Sequence, residues 1–357
     1  MKVNRAELVE GCVLAADVYS KAAVPLMKKK TVLTDWHLEV LKAFLIDSVD
    51  IEPVLDNGEP FKRRPEPAQS PESGVVEDPL LESFLDAVQK FKGYFQDWQQ
   101  GKPVDIFSAF NMITQLVHPF LERPDALFGL YRFSKPSGYL YDHSVSVGLI
   151  SAYLAHKMKH SKRQILEIGL AGLLADCGMA KLPPRLYEKR DVLTHLERRQ
   201  IEKHTIYGYQ MLKDHSAAKE GVLLAVLQHH EREDGSGYPL RLSRENIHPY
   251  AKIVAVADTF HALICERPYR KKHSPFSALD LLRHDHFGQL DHKVLSLLAD
   301  EVANRSVGKK VLLSNDTVGE IVFIYANAPT RPLIRLDDGE TFSLLDHRDV
   351  YIEEVLP

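Results

Sequence analysis

Residues 229–239 read HHEREDGSGYP, two adjacent histidines followed by a short polar loop. Gly235 and Gly237 permit a positive φ and a close approach of neighbouring backbone, and Pro239 stiffens the chain behind them. We therefore predict a loop that presents Tyr238 to a base or a phosphate. Taken alone, the same letters also fit an ordinary tight turn.

Further histidines and aspartates stand at wide spacing on both sides of this loop. They are His143, Asp176, His204 and Asp258. A lone histidine on an apolar helix is more often packed and hydrogen-bonded than metal-bound, so each position taken singly fits both interpretations. Together, imidazole nitrogens and carboxylate oxygens suit iron, manganese, zinc or nickel, and a carboxylate can bridge two ions. Such a bridged pair holds the attacking and the leaving oxygen of a phosphodiester.

These residues stand within a long region of helical sequence. From Leu81 onwards apolar residues recur along one helical face, and similar signals continue to about Ala303. After Asn304 the pattern changes to short β-rich runs, and an Asp338-Gly339 turn indicates hairpins. The pattern predicts a helical domain followed by a small β module.

The beginning of the chain has a different character. Thr34 stands where it can cap a helix that carries Leu38, Leu41 and Leu45, ahead of a strand-like segment at 49–51. Four prolines lie among polar residues between 56 and 78, a composition too polar to order itself by apolar burial. The predicted fold is mainly α, with a small α+β module over 1–55, a disordered proline-rich linker over 56–78, a helical domain over 79–303 with its motifs in 136–303, and a β module over 304–357.

Composition excludes several classes of protein. The 357 residues carry a formal net charge of −4, which gives no basic field for a DNA or RNA polymer. The chain lacks the apolar core of a signal peptide and any apolar run long enough to span a bilayer, so we expect a cytoplasmic protein. Three widely spaced cysteines fit neither a disulfide framework nor a zinc knuckle, and we expect them to be reduced and mostly buried: Cys12, Cys177 and Cys265.

Five segments resemble, in order, the motifs of the HD-GYP domain family of bacterial signalling proteins. They are YDHSVSVGLI with His143, LLADCGMAKLP with Asp176, IEKHTIYGYQML with His204, HHEREDGSGYP from His229, and AKIVAVADTFHALICERPYRK from Ala251. The last two are highly specific, and the resemblance spans residues 136–303. It implies a helical HD fold, a centre of two or three metal ions, and hydrolysis of the second messenger cyclic dimeric GMP.

The resemblance also implies ligand sets. One site would use Asp176, His204, His229 and His230, all of which are present. The other would use His143, the shared Asp176, Asp258 and the histidine of the His-Asp doublet. The resemblance makes Asp176 the central catalytic residue because it serves both sites.

Three positions depart from the family pattern. The doublet histidine is Ala175, whose methyl group cannot bind a metal, and the lysine that follows the doublet's glycine is Met179. A carboxylate that recruits a third metal in some members is Tyr139. We therefore expect one or two divalent transition-metal ions, not three, and weakened or lost hydrolysis.

A further departure follows Asp258. The aspartate usually found one helical turn later is His261, on the same helical face. One hypothesis is that His261 supplies the imidazole that Ala175 removed. The alternative is that it packs locally or supports a ligand from behind, which is the commoner arrangement.

Ligand recognition is better preserved than catalysis. Arg267 and Arg270 offer fork-shaped guanidinium donors to phosphate oxygens and stand where the family's phosphate-contacting basic residues lie. Together with Tyr238 they are the predicted substrate-binding residues. Two functions compete: a cyclic di-GMP phosphodiesterase with altered catalytic positions, or a catalytically inactive cyclic-dinucleotide receptor or scaffold. In either case, homodimerisation or a signalling partner would act through the flanking modules.

Overall fold

The computed structural model describes most of the chain. The described residues are 1–4, 8–9, 11–19, 25–34, 37, 41, 46, 48–56, 61, 78–134, 138–189, 191–215, 217–265 and 272–356. They fall into two compact units, Met1–Glu77 and Asp78–Pro357. Apart from residues 56, 61 and 78, the predicted linker lies outside the described residues.

The described residues of the first unit form two antiparallel strand pairs. Strand β1 (Lys2–Asn4) pairs with β4 (Ser48–Asp50), and β2 (Val18–Tyr19) pairs with β3 (Pro25–Met27). The strand predicted near residue 49 is confirmed. Of the helix predicted after Thr34, the positions Leu38 and Leu45 lie outside the described residues.

The second unit is mainly helical, as the sequence predicts. Its α-helices, numbered in chain order, are α1 (Pro79–Gln99), α2 (Ile106–Glu122), α3 (Pro124–Gly129), α4 (Tyr139–Lys157), α5 (Lys162–Leu174), α6 (Pro184–Tyr187), α7 (His195–Ile201), α8 (His204–Leu212), α9 (Glu220–Gln228), α10 (Pro249–Ile264), α11 (Pro275–His284) and α12 (His292–Asn304). Short 3-10 turns span Leu130–Phe133, Cys177–Lys181 and Arg244–Asn246.

Helix α1 shows why this region folds as the periodicity predicts. Its apolar residues recur on one face and are buried, among them Phe84, Phe91 and Trp98. Asp78 caps its first turn by accepting from the backbone N–H of Leu80 at 3.1 Å. The predicted helical signal from Leu81 is therefore confirmed.

Helix α4 runs through the middle of the unit. Every residue from 142 to 155 is buried, because α1, α2, α5 and α10 all pack against this helix. A helix that is enclosed on all sides holds its polar side chains in fixed positions. This rigidity matters because α4 carries one of the predicted metal ligands.

A five-stranded antiparallel sheet follows the helices. Its strands are β5 (Lys310–Leu313), β6 (Val318–Tyr325), β7 (Ala328–Leu336), β8 (Thr341–Ser343) and β9 (Ile352–Val355), in the order β8-β7-β6-β5-β9. Gly339 takes a φ of +88° in the turn between β7 and β8, so the predicted hairpin is confirmed. Phe276 and Ala303 from the helices share the core of this sheet.

Two simpler predictions concern the cysteines and the membrane. All three cysteines are buried and none forms a disulfide. Among the helices in the described part of the chain, none is long and apolar enough to cross a membrane. The mainly α fold with a small C-terminal sheet is confirmed.

Candidate metal centre

The six predicted ligands converge from separate elements. They are His143 on α4, Asp176 between α5 and the 3-10 turn, His204 at the start of α8, His229 and His230 directly after α9, and Asp258 on α10. Among the described residues they form two groups that share Asp176, and within each group the ligand atoms lie within 4.8 Å of one another. A single metal ion fits within such a spacing.

The first group contains Asp176, His204, His229 and His230. The Nε2 atoms of His204 and His229 are only 3.3 Å apart. Asp176 Oδ1 lies 3.2 Å from His204 Nε2 and 3.9 Å from His229 Nε2. One carboxylate and two imidazoles thus face a common point.

The outer nitrogens of the two histidines decide which tautomer is present. His204 Nδ1 lies 2.7 Å from the carbonyl of Ile201, and His229 Nδ1 lies 2.9 Å from the carbonyl of Val226. A carbonyl oxygen can only accept, so each Nδ1 carries a proton and donates it. In the neutral rings both Nε2 atoms then present lone pairs, which cannot hydrogen-bond to each other. A divalent cation held by these residues would satisfy both lone pairs and the carboxylate.

Burial keeps these rings neutral. Desolvation lowers the pKa of His204 to about 4, even though the Ile201 carbonyl opposes the shift. Burial, then the neighbouring His204, lowers the pKa of His229, and burial, then His229, lowers the pKa of His230. Neutral imidazole is the form that binds a metal. The donor set of this group therefore fits a divalent ion.

The lowered pKa of His204 predicts how the metal-free protein responds to acid. An unfolded histidine has a pKa near 6.5, whereas folded His204 has a pKa of about 4, so unfolding takes up a proton between these values. The stabilising contribution of neutral His204 is complete above pH 6.5 and is lost as the pH falls toward 4, up to about 3 kcal/mol for this one group. Urea unfolding in chelator at several pH values measures it.

Two variants calibrate that measurement. His204→Gln removes the proton uptake, so its unfolding free energy should fall less steeply between pH 6.5 and 4 than that of the unaltered chain. His118→Gln alters a side chain that is 81% exposed and should leave the slope unchanged. Equal slopes in all three proteins would contradict the argument.

The second group contains His143, Asp176 and Asp258 and is arranged differently. His143 Nε2 lies 2.8 Å from Asp258 Oδ1 and 3.8 Å from Asp176 Oδ2. Burial alone raises the pKa of Asp258, but the hydrogen bond with His143 and the nearby histidines outweigh it, so the pKa is lowered. The imidazole and the carboxylate therefore satisfy each other directly.

His261 lies behind His143. Its Nδ1 is 2.9 Å from His143 Nδ1, the ring nitrogen that does not face the carboxylates, and Tyr139 Oη lies 3.1 Å from the same nitrogen. The other nitrogen of His261 is 3.4 Å from Cys265 Sγ. Among the described residues His261 belongs to neither ligand group. At this position His261 can orient the ring of His143. The hypothesis that His261 supplies the imidazole absent at Ala175 stays a prediction.

The positions at which the motif resemblance predicts a departure also lie near the centre. Ala175 is buried directly before Asp176 and offers no ligand atom. Met179 lies in the 3-10 turn Cys177–Lys181 and packs against the main hydrophobic core. Apolar packing therefore occupies the position where the resemblance predicts a lysine.

The loop at 229–239 holds its shape through backbone contacts. Gly235 has a φ of +77°, as predicted. Gly237 has no positive φ, but a Cβ there would lie 2.4 Å from the backbone nitrogen of Arg232, so the predicted close approach of backbone is confirmed. Close backbone approach is the reason for this glycine.

Tyr238 stands over the first ligand group. Its ring stacks on His230 with centroids 4.7 Å apart at an angle of 27°. Burial raises the pKa of its hydroxyl well above 10, which keeps the group protonated. A protonated hydroxyl beside the metal ligands can donate a hydrogen bond to a phosphate or a base. That Tyr238 contacts such a group stays a prediction.

Two residues near this centre have structural roles that the motifs alone did not predict. Buried Glu231 accepts from the backbone N–H groups of Leu240 at 2.6 Å and Leu242 at 2.9 Å, which fixes the end of the loop. Gly178 leaves no room for a side chain, because a Cβ would lie 1.9 Å from the carbonyl oxygen of His204. A glutamate beside paired histidines and a glycine after the doublet were the available signals. The predicted phosphate ligands Arg267 and Arg270 lie outside the described residues.

Comparisons with known proteins agree with this geometry. A family model described as an HD domain matches residues 132–294. A cyclic di-GMP phosphodiesterase of Pseudomonas aeruginosa is 30% identical over 242 residues, which cover 68% of this chain and 58% of that protein. A 3'3'-cGAMP-specific phosphodiesterase of Vibrio cholerae is 31% identical over 166 residues, 45% of this chain and 38% of the relative.

The matched parts are shorter than the relatives themselves. The chain spans 58% of the Pseudomonas protein and 54% of a cyclic di-GMP phosphodiesterase of Borreliella burgdorferi to which it is 27% identical. Among solved structures, an HDG"Y"P protein from Bdellovibrio bacteriovorus aligns with a TM-score of 0.50 at 18% identity, covering 85% of this chain and 99% of that one. This likeness concerns the fold alone. The HD-domain match and the named relatives support the assignment of the chain to the HD-GYP family that its motifs predict.

Proposed function

We propose that the chain is a metal-dependent phosphodiesterase-type protein that acts on cyclic dinucleotides at a single-ion centre. The observation that carries the proposal is the pair of Nε2 atoms of His204 and His229, 3.3 Å apart beside Asp176. The relatives support the substrate class, because they include cyclic di-GMP and 3'3'-cGAMP phosphodiesterases.

Each residue has a defined part in this proposal. Asp176, His204, His229 and His230 would hold the ion, which when bound would supply positive charge toward a phosphoryl oxygen and lower the pKa of a water. Tyr238 offers its hydroxyl to the bound dinucleotide from its place on His230. Because Met179 replaces a lysine, the chain contributes one cation fewer to the developing charge. Turnover is therefore weak.

A second function is a receptor that binds the dinucleotide without turnover. It is favoured by the 2.8 Å contact of His143 with Asp258, which satisfies both groups where a second ion would bind. Ala175 removes a further ligand from the same place. In this version the flanking modules transmit the bound state to a second copy or to a signalling protein.

Metal content and hydrolysis of cyclic di-GMP distinguish the two functions. We expect one ion per chain, measured by elemental analysis after addition of manganese or iron, and slow hydrolysis that chelator abolishes. In Ala175→His the doublet imidazole returns, so we expect a second ion and a rise in turnover of about tenfold or more, in the range attributed to a charged transition-state contact.

Ala175→Gln is the matched control, because it has a side chain of similar reach without an imidazole. It should bind one ion and turn over no faster than the unaltered chain. No hydrolysis in any variant, with saturable cyclic di-GMP binding that is weakened in Arg267→Ala, would support the receptor. Two ions and full turnover without the substitution would overturn the single-ion proposal.

A further inference from the structure

A cavity of about 740 Å³ opens at the junction of the helices and the β sheet in the second unit. Its walls come from α11 and the loop after it, from α12, from the region after the metal ligands, and from the sheet. None of the six candidate metal ligands lines it. The volume lies within the roughly 300–1,000 Å³ typical of small-molecule sites.

The lining of this cavity carries an excess of positive charge. Four arginines face two acidic residues, Glu233 and Asp280. Both acids are already paired: Glu233 binds Arg244 at 2.8 Å and Lys252 at 2.9 Å, and Asp280 binds Arg331 at 3.0 Å. The remaining arginines therefore have no acid within the cavity to neutralise them.

Those two arginines are Arg283 and Arg348, and they come from different elements. Arg283 lies in the last turn of α11, and Arg348 lies between β8 and β9. Neither side chain forms an ion pair with any residue in the described part of the chain. A guanidinium is a planar set of donors that matches the oxygens of a phosphate. Two of them in one cavity, left without counter-charges, favour an anionic ligand.

The cavity also has an aromatic side chain at its edge. Phe287, in the loop between α11 and α12, is 84% exposed although it lines the cavity. Water-exposed phenylalanine gains free energy when a flat apolar group covers it. Stacking of a nucleobase on such a ring contributes to the binding free energy whichever base it is.

From these observations we propose that the cavity is a second binding site, for a nucleotide whose phosphate contacts Arg283 and Arg348 and whose base covers Phe287. Free mononucleotides and cyclic dinucleotides share this chemistry. The site uses none of the metal ligands, so it does not depend on the function proposed above.

The test uses 5'-GMP and cyclic di-GMP with the full chain, read by calorimetry. Binding is measured in His229→Ala and, as a second route, in the unaltered chain stripped of metal by chelator, so that the metal centre does not contribute. We expect saturable binding of one nucleotide per chain in both preparations. Preference for 5'-GMP identifies a mononucleotide site, and preference for cyclic di-GMP identifies a dinucleotide site.

Substitutions then locate the ligand. Arg283→Ala and Arg348→Ala should each weaken binding by about tenfold or more, as loss of a charged hydrogen bond does, and Phe287→Ala should weaken it less. Arg163→Ala, on an exposed side chain of α5, is the control and should change nothing. Unchanged affinity in both cavity arginine variants would overturn the proposal, as would equal displacement of 5'-GMP by the same concentration of inorganic phosphate.

Discussion

Replacing His229 by alanine is expected to abolish metal binding at the first ligand group. His229 Nε2 faces His204 Nε2 at 3.3 Å, and the methyl group of alanine offers no ligand atom in its place. We expect the affinity for manganese or zinc to fall by at least about 100-fold, because loss of outer-shell partners alone costs about 10–100-fold. Equilibrium dialysis with each metal measures the change.

The comparison with His143→Ala makes this prediction specific. His143 belongs to the second group and hydrogen-bonds to Asp258, so its removal should leave the ion at the first group in place. His118→Ala, on an exposed surface, should bind metal as the unaltered chain does. If His143→Ala lost as much metal as His229→Ala, the ion would have to lie between the groups.

Gly178→Ala is expected to destabilise the fold strongly although it adds only one methyl group. The added Cβ would lie 1.9 Å from the carbonyl oxygen of His204 and 2.4 Å from the backbone nitrogen of Gly208. Both neighbours are backbone atoms of α8 and cannot rotate away. We expect a loss of about 3 kcal/mol or more in the free energy of unfolding, the upper range for overpacking, together with weaker metal binding because His204 must shift.

Gly93→Ala is the matched control for that substitution. Gly93 lies within α1, and a Cβ there would meet nothing within 4 Å. Alanine in an open helical position should stabilise the chain by about 1 kcal/mol. Urea unfolding of the two variants should therefore move in opposite directions from the unaltered chain. A loss of similar size in both would show that the contact with His204 is not the cause.

Much of the fold followed from periodicity. The burial pattern of α1 and the hairpin at Gly339 are local consequences of apolar spacing and turn chemistry, and local patterns can be read from one sequence. The presence of two ligand groups sharing Asp176 followed from the motif resemblance, because a motif fixes which residue types meet.

Other features depend on distances that no sequence pattern contains. The direct hydrogen bond of His143 to Asp258 joins positions 115 residues apart. The contact of His261 with the far nitrogen of His143 depends on the separation of α4 and α10. The cavity with Arg283 and Arg348 brings together a helix end and a loop of the sheet. Each depends on tertiary packing, which decides ring orientation and charge compensation.

The close packing at Gly178 has a consequence for how such proteins diverge. The motif resemblance predicts that Ala175, three positions earlier, stands where a ligand histidine is usual, and this buried alanine is accommodated within the core. A glycine pressed against backbone has no acceptable replacement. During evolution, catalytic residues should therefore be lost from a lineage before such glycines are. A sequence search for inactive proteins with this fold should therefore give the glycine positions more weight than the histidine positions.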